Sequence, residues 1–320
     1  MSKTILVTGA AGFIGSHLCA ALLQRGDQVV GLDSFNDYYS PERKRANIEE
    51  IRAKHFALLE GDVRDAALVN KVVAEHHLDA IVHLAAMAGV RASIRDPHLY
   101  HAVNVAGTLN LLDAIQQRPN INLVLASTSS VYGATERIPF VEDDPCDRPM
   151  SPYAASKRAA EILAYTYHHL YNLNVTALRF FTVYGPRNRP DMMAYKVVDN
   201  IFFGRDVPLY NHGHVFRDWT YVDDIVAGVI AAADRPLGYQ IINLGRGEPV
   251  QLADFVACIE ELTGRRANLA AAPLPDTDII STHADISKAR RLLGYAPQTS
   301  VPEGVERFWQ WYWRHVLQLA

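Results

Sequence analysis

Thr4-Ile5-Leu6-Val7-Thr8-Gly9-Ala10-Ala11-Gly12-Phe13-Ile14-Gly15 is the stretch that decides the fold. Its first five residues are apolar or β-branched and read as a short buried strand, and Gly15 to Arg25 reads as an amphipathic helix. Between them lie Gly9, Gly12 and Gly15. Glycine suits such a junction because the chain must turn tightly and bring its backbone close to a pyrophosphate, which the positive end of the helix then faces. A second apolar strand, Gln28 to Leu32, ends at the acid Asp33, 18 residues after Gly15. A carboxylate there would accept hydrogen bonds from both hydroxyls of an adenosine ribose and repel a ribose phosphate, so NAD is expected rather than NADP. Gly61-Asp62-Val63 follows the next expected strand and is placed either to meet the adenine or simply to end that strand in a turn.

Outward from this unit the pattern repeats. Ala80 to Leu84, Leu123 to Ala126 and Val175 to Phe180 are apolar runs separated by helical segments, among them Asn104 to Gln117 and Tyr153 to Leu170. Strands alternating with helices predict an α/β protein with a doubly wound parallel sheet, right-handed crossovers and helices on both faces. The texture changes between Gly185 and Pro208, where Pro186-Arg187-Asn188-Arg189-Pro190 makes a polar, rigid loop. Residues 1–184 are therefore expected to form a dinucleotide-binding domain and residues 185–320 a smaller C-terminal substrate-binding domain, with Tyr239 to Leu244 rejoining the first sheet.

The 320 residues are 49% hydrophobic and 21% charged, the make-up of an ordinary folded domain or pair of domains. A formal net charge of -4 and the lack of any long Lys/Arg run argue against nucleic acid or an anionic membrane surface as partner. Cys19, Cys146 and Cys258 have no metal-ligand spacing and cannot all pair, so neither a metal site nor a disulfide framework is expected. His168 and His169 read as surface residues, with no partner at metal spacing. No apolar run reaches membrane-spanning length or the form of a secretory signal, so the protein is expected in the cytoplasm. Trp309, Trp311 and Trp313 alternate too closely to share one helical face and read as part of a C-terminal anchor helix.

Tyr153 and Lys157 stand one helical turn apart in Ser151-Pro152-Tyr153-Ala154-Ala155-Ser156-Lys157 and share a face. A cation roughly 4 Å from a phenol is worth a few kcal/mol at an effective dielectric near 20, enough to lower a tyrosine pKa by about two units. Tyr153 thereby becomes a usable proton shuttle. Alone, such a pair is common on solvated helix surfaces; beside the glycine loop and Asp33 it gains meaning. In Ala126-Ser127-Thr128-Ser129-Ser130-Val131-Tyr132-Gly133 a strand ends and hydroxyls emerge at its carboxyl edge, where open parallel sheets bind ligands.

The glycine spacing, the Tyr-x-x-x-Lys pair and Leu84-Ala85-Ala86 resemble the extended short-chain dehydrogenase/reductase family over essentially the whole chain. More narrowly, Asp33-Ser34-Phe35-Asn36-Asp37-Tyr38-Tyr39, His83-Leu84-Ala85-Ala86-Met87-Ala88-Gly89-Val90-Arg91, and Arg179-Phe180-Phe181-Thr182-Val183-Tyr184-Gly185-Pro186 continuing to Arg189-Pro190-Asp191-Met192 are similar to the UDP-glucuronate 4-epimerases of bacteria and plants. The resemblance implies a Rossmann domain and a homodimer packed through the helices Asn104 to Gln117 and Tyr153 to Leu170. It implies a cofactor site that adds Phe13, Ile14, Asn36, Asp62, Val63, Leu84, Ala85, Ala86, Asn104, Tyr153, Lys157 and Phe181 to the glycines and Asp33. It implies a UDP-sugar site with Arg91, Thr128, Ser129, Ser130, Tyr153, Thr182, Arg189, Tyr210, Arg217 and Asp278, of which Arg189 and Arg217 would meet the diphosphate. Arg91 is a carboxylate partner in this reading and a surface partner of Asp96 in the plainer one.

By the same resemblance Thr128, Tyr153 and Lys157 are the catalytic set. Tyr153 would take the proton of the sugar C4 hydroxyl while the C4 hydrogen passes as hydride to NAD, and return of both to the opposite face would give the C4 epimer. Family members that dehydrate or decarboxylate carry acids after the threonine, where this chain has Ser129 and Ser130. Thr182 stands where epimerases of neutral UDP-glucose usually have asparagine. Epimerisation of UDP-glucuronate is the expected activity, with two alternatives: a 4-epimerase of UDP-glucose or UDP-N-acetylglucosamine, and a regulator that binds NAD without catalysis.

Overall fold

The computed structural model describes residues 2–51 and 54–317. Thirteen strands occur among them: β1 Thr4–Thr8, β2 Gln28–Asp33, β3 Phe56–Glu60, β4 Ala80–His83, β5 Asn122–Thr128, β6 Asn174–Phe180, β7 Thr182–Tyr184, β8 Asp206–Tyr210, β9 Phe216–Arg217, β10 Trp219–Tyr221, β11 Tyr239–Leu244, β12 Val250–Gln251 and β13 Asn268–Ala272. Seven form one parallel sheet in the order β11-β6-β5-β4-β1-β2-β3. All seven residues of β5 are buried, the sign of a strand covered on both faces, and the expected doubly wound α/β architecture is what forms.

Strand order runs outward in both directions from β1 and β4, so the crevice between their carboxyl ends is the topological switch point. Leu32 O accepts the Gly9 N–H at 2.8 Å and ties the loop after β1 to β2. Phe13–Arg25 then runs as a helix to Gly26, whose φ of 93° provides the left-handed stop. The helix Pro152–Tyr171 starts with Pro152 in its first turn and the Ser151 hydroxyl accepting the Ala154 N–H at 3.2 Å, and ends at Asn172 with φ 54°. These caps fix where the helix begins, and hence where Tyr153 and Lys157 point.

The expected helix from Asn104 to Gln117 differs in its first turns. Ala102–Ala106 is a π-turn, followed by an α-helix over Gly107–Ile115. The Thr108 hydroxyl donates to Asn104 O at 2.6 Å within the widened turn. The C-terminal part builds three two-stranded ladders, β7 with β10, β8 with β13 and β9 with β12, whose members are too short to announce themselves by periodicity. Val301–Tyr312 is a helix that buries Phe308 and Tyr312, while Trp309 and Trp313 pack around Phe202 and Trp313 stays 44% exposed. No helix among the described residues is long and apolar enough to cross a membrane.

Candidate active site

At the switch point the backbones come very close. Gly9 has φ +70°, and a Cβ there would lie 2.8 Å from Ala85 N and 2.9 Å from the Leu84 carbonyl carbon. A Cβ on Gly15 would run into Gly9 O. Only glycine fits either position. Asp33, at the end of β2, accepts the N–H groups of Ala11 and Phe35, each at 2.9 Å. Burial raises its pKa, and those two N–H groups together with the Lys44 ammonium oppose the rise.

These groups open onto a cavity of about 510 Å³. Gly9, Gly12, Phe13, Ile14, Gly15, Asp33, Asn36, Asp62, Val63, Leu84, Ala85, Ala86, Tyr153 and Lys157 all line it. Two expected cofactor residues do not. Asn104 stands behind the wall, where its amide accepts the Met87 N–H at 2.8 Å and donates to Met87 O and the Ser156 hydroxyl, both at 2.9 Å. Phe181 packs against Tyr132 and Phe140 with ring centroids 6.4 and 6.1 Å away; its neighbour Phe180 faces the cavity instead, because adjacent side chains leave the end of β6 on opposite faces. Lys44 is an addition to the expected site: its ammonium donates to the Asn36 carbonyl at 2.7 Å and to the Asn36 side chain at 2.8 Å. The basic run Arg43-Lys44-Arg45 is its only sequence trace.

Tyr153 is edge-on to Tyr100, with centroids 6.2 Å apart. Burial raises the Tyr153 pKa; the Thr128 hydrogen bond, then the Arg189 guanidinium, work to lower it. The expectation that Lys157 does this through space is corrected. Lys157 Nζ is turned to the carbonyl of Ala126 and donates to it at 2.9 Å, fixing the strand end that precedes Thr128. Burial drops the Lys157 pKa to about 8, with Glu161 opposing. His83, beside it, is pushed down to about 3 by burial and then by Lys157, and is neutral.

A second cavity of about 170 Å³ carries Ser129, Ser130, Thr182, Arg217 and Asp278 on its wall. The Thr128 hydroxyl donates to Ser130 Oγ at 3.2 Å; Thr128 itself, expected in the substrate site, is on the wall of neither cavity. Arg91 donates to the Tyr210 hydroxyl and to Asp278, each at 3.1 Å, and stacks on the Tyr210 ring at 5.2 Å. The plainer pairing of Arg91 with Asp96 does not form, since Asp96 caps the following helix by accepting the Leu99 N–H at 3.0 Å. Arg217 donates to the carbonyls of Phe216 and Ile280; burial lowers its pKa, which Asp278 opposes and Arg91 reinforces.

Arg189, expected at the diphosphate, lines the first cavity. Asp191, two residues on, captures its guanidinium in a fork at 2.9 and 3.0 Å, and holds it in the first cavity under Tyr38. Among the described residues no cluster of His, Cys, Asp or Glu could hold a metal ion.

The sequence profile of the GDP-mannose 4,6 dehydratase family matches residues 6–308. The chain belongs to this family of extended short-chain dehydrogenases/reductases. It is 43% identical over 327 residues to UDP-glucuronate 4-epimerase 4 of Arabidopsis thaliana, covering 97% of this chain and 75% of that protein. It is 42% identical over 308 residues to UDP-glucuronate 4-epimerase of Thermodesulfobacterium geofontis, covering 96% and 95%. The crystal structure of UDP-glucuronic acid 4-epimerase from Bacillus cereus with UDP-glucuronic acid and NAD superposes with a TM-score of 0.91 at 34% identity, covering 99% of this chain and 100% of that one.

With Tyr153 as the base, activity is expected to rise with pH through the Tyr153 pKa. Removing a hydrogen bond that favours the phenolate raises that pKa further. Thr128→Ala is therefore expected to move the acidic limb of the kcat profile to higher pH, with a loss of about 10²-fold or more at neutral pH. A profile in which kcat falls without any shift of the acidic limb would mean that Thr128 does not act through Tyr153.

Proposed function

We propose that the protein is an NAD-dependent 4-epimerase of UDP-sugars, converting UDP-glucuronate to UDP-galacturonate through a transient 4-keto sugar. The carrying observation is the strand end at Thr128, which acts on Tyr153 in the first cavity and whose hydroxyl meets Ser130 on the wall of the second. The first cavity suits NAD by its own features: two glycines that no Cβ could replace, a helix N-terminus behind them, and Asp33 at the strand end. When bound there, NAD accepts a hydrogen with its electron pair from the sugar C4 and gives it back. Tyr153 removes the C4 hydroxyl proton and later returns it. Thr128 holds that hydroxyl within reach of Tyr153, and Lys157, which fixes the strand end before Thr128 through the Ala126 carbonyl, supplies the nicotinamide ribose contact.

The fate of the oxidised sugar depends on the second cavity. A 4-keto glucuronate is a β-keto acid and loses carbon dioxide when its carboxylate turns perpendicular to the ketone. Ser129, Ser130 and Thr182 line the cavity with hydroxyls that can donate to the carboxylate and hold it. The residues directly after Thr128 offer no acid for elimination across C5 and C6. In this reading Arg217, Arg91, Tyr210 and Asp278 hold the UDP end, and Arg189 faces the reacting sugar rather than the diphosphate.

We further assign residues 1–184 with β11 to NAD and residues 185–320 mainly to the UDP-sugar. A homodimer is supported by the apolar side chains on the Pro152–Tyr171 helix, where Ile162, Tyr165 and Leu170 are 52%, 54% and 60% exposed. A cytoplasmic setting is supported by three free cysteines, two of them buried.

Incubation with UDP-glucuronate, followed by proton NMR, is expected to give UDP-galacturonate without added reductant or oxidant. Turnover of UDP-glucose but not UDP-glucuronate would favour a neutral-hexose epimerase, and bound NAD with no turnover of either would favour a regulator. In the same assay Thr182→Ala and Ser129→Ala should lose about tenfold or more in epimerisation and release UDP-pentose. Full epimerase activity with no pentose in both variants would overturn the clamp.

A further inference from the structure

Beneath the catalytic set lies an ion pair that the proposed reaction does not use. Glu161, one turn beyond Lys157 on the Pro152–Tyr171 helix, and Arg179 on β6 are both fully buried. Arg179 donates to both Glu161 oxygens, at 3.0 and 2.9 Å, and Arg158 adds a third bond at 2.9 Å. The Ser127 hydroxyl donates to the same carboxylate at 2.6 Å. Lys157 and Glu161 thus grip consecutive residues of β5, Lys157 through Ala126 O and Glu161 through Ser127, directly before Thr128.

A buried pair of this kind is a poor device for stability alone, because apolar residues of similar volume serve as well or better. Arg179 even leaves Nη1 buried without a partner. We propose that Glu161, held by Arg179, is a positioning residue, an inference that rests on the epimerase reading: it sets Thr128 against Tyr153 and provides the negative charge that keeps the Lys157 ammonium in place. Burial alone would raise the Glu161 pKa; its bonds to Arg179, then Ser127, outweigh this and hold it below the usual carboxylate range. It is therefore an anion throughout the working pH range.

The other groups around the pair do not take over this role. On the Lys157 side stand Tyr153 on the same helix and neutral His83 on β4. On the Arg179 side stand the Tyr132 ring at 4.7 Å, Cys146, Asp144 and Lys288, while Tyr239 on β11 donates to the Glu161 backbone carbonyl. Glu161 is the only anion among the described residues that acts on Lys157.

The test is an NMR titration of the lysine side-chain methylenes in the NAD-loaded protein, with the Lys157 signal assigned by its loss in Lys157→Met. Glu161→Gln keeps the size and removes the charge, and the double variant Glu161→Met with Arg179→Met avoids leaving a lone buried cation. Both are expected to lower the Lys157 midpoint by about one pH unit, since a nearby opposite charge favours the charged form. The alkaline limb of UDP-glucuronate turnover should move down with it. A Lys157 midpoint unchanged in whichever variant folds would overturn the proposal, whatever happens to the melting temperature. Failure of the epimerase reading would show separately, as wild-type protein that forms no C4 epimer.

Discussion

The close approach of two strand ends governs the rest of the structure. β1 and β4 are neighbours, yet the chain leaves them in opposite directions, and the loop after β1 passes so near Leu84 and Ala85 that a methyl group on Gly9 would overlap backbone. Small groups there leave the crevice open to a ligand and aim the helix N-terminus into it. Everything chemical is then set at the carboxyl edge of one sheet: Asp33 after β1's neighbour on one side, Thr128 after β4's neighbour on the other. The central strands β4 and β5 are wholly buried and β1 is buried beyond Thr4, so packing on both faces holds these positions in place.

Burial is also what sets the charges. Tyr153 is pushed up, Lys157 down to about 8 and His83 down to about 3, each by loss of water first. A site left at that point would hold a neutral phenol and a partly neutral amine. Local partners draw both back toward the working forms: Thr128 and Arg189 for the tyrosine, Glu161 for the lysine. The second cavity obeys a different rule. Ser129, Ser130 and Thr182 line it beside Arg217 and Asp278, and in the proposed reaction those three hydroxyls hold a β-keto acid without easing its breakdown.

The fold was legible because its elements are locally consistent. β1, β2 and β11 follow from apolar runs ended by Gly, Asp or polar residues, and the Pro152–Tyr171 helix from its cap and its Ala-rich composition. The π-turn at Ala102–Ala106 was not legible, since it depends on a hydroxyl finding a carbonyl in three dimensions. Nor were the short ladders β7 with β10, β8 with β13 and β9 with β12, which long-range pairing creates. In the site, the residues close in sequence to the glycine loop line the first cavity. Direction left less trace in the sequence: Phe180 rather than Phe181 faces the cavity, Asn104 lies behind its wall, Lys157 bonds a strand carbonyl and Asp191 holds Arg189. Spacing tells which residues share a neighbourhood, and competition between nearby partners decides where each one points.

In the proposed epimerisation one bound sugar gives up and regains a hydride at C4 and a proton at its C4 hydroxyl oxygen. UDP-glucuronate carrying deuterium at C4 tests it most directly. Retention of the label at C4 in the UDP-galacturonate formed, in ordinary water and with no cofactor added beyond what the protein carries, is the predicted result. Loss of the label to solvent, or its appearance at another carbon, would contradict the account.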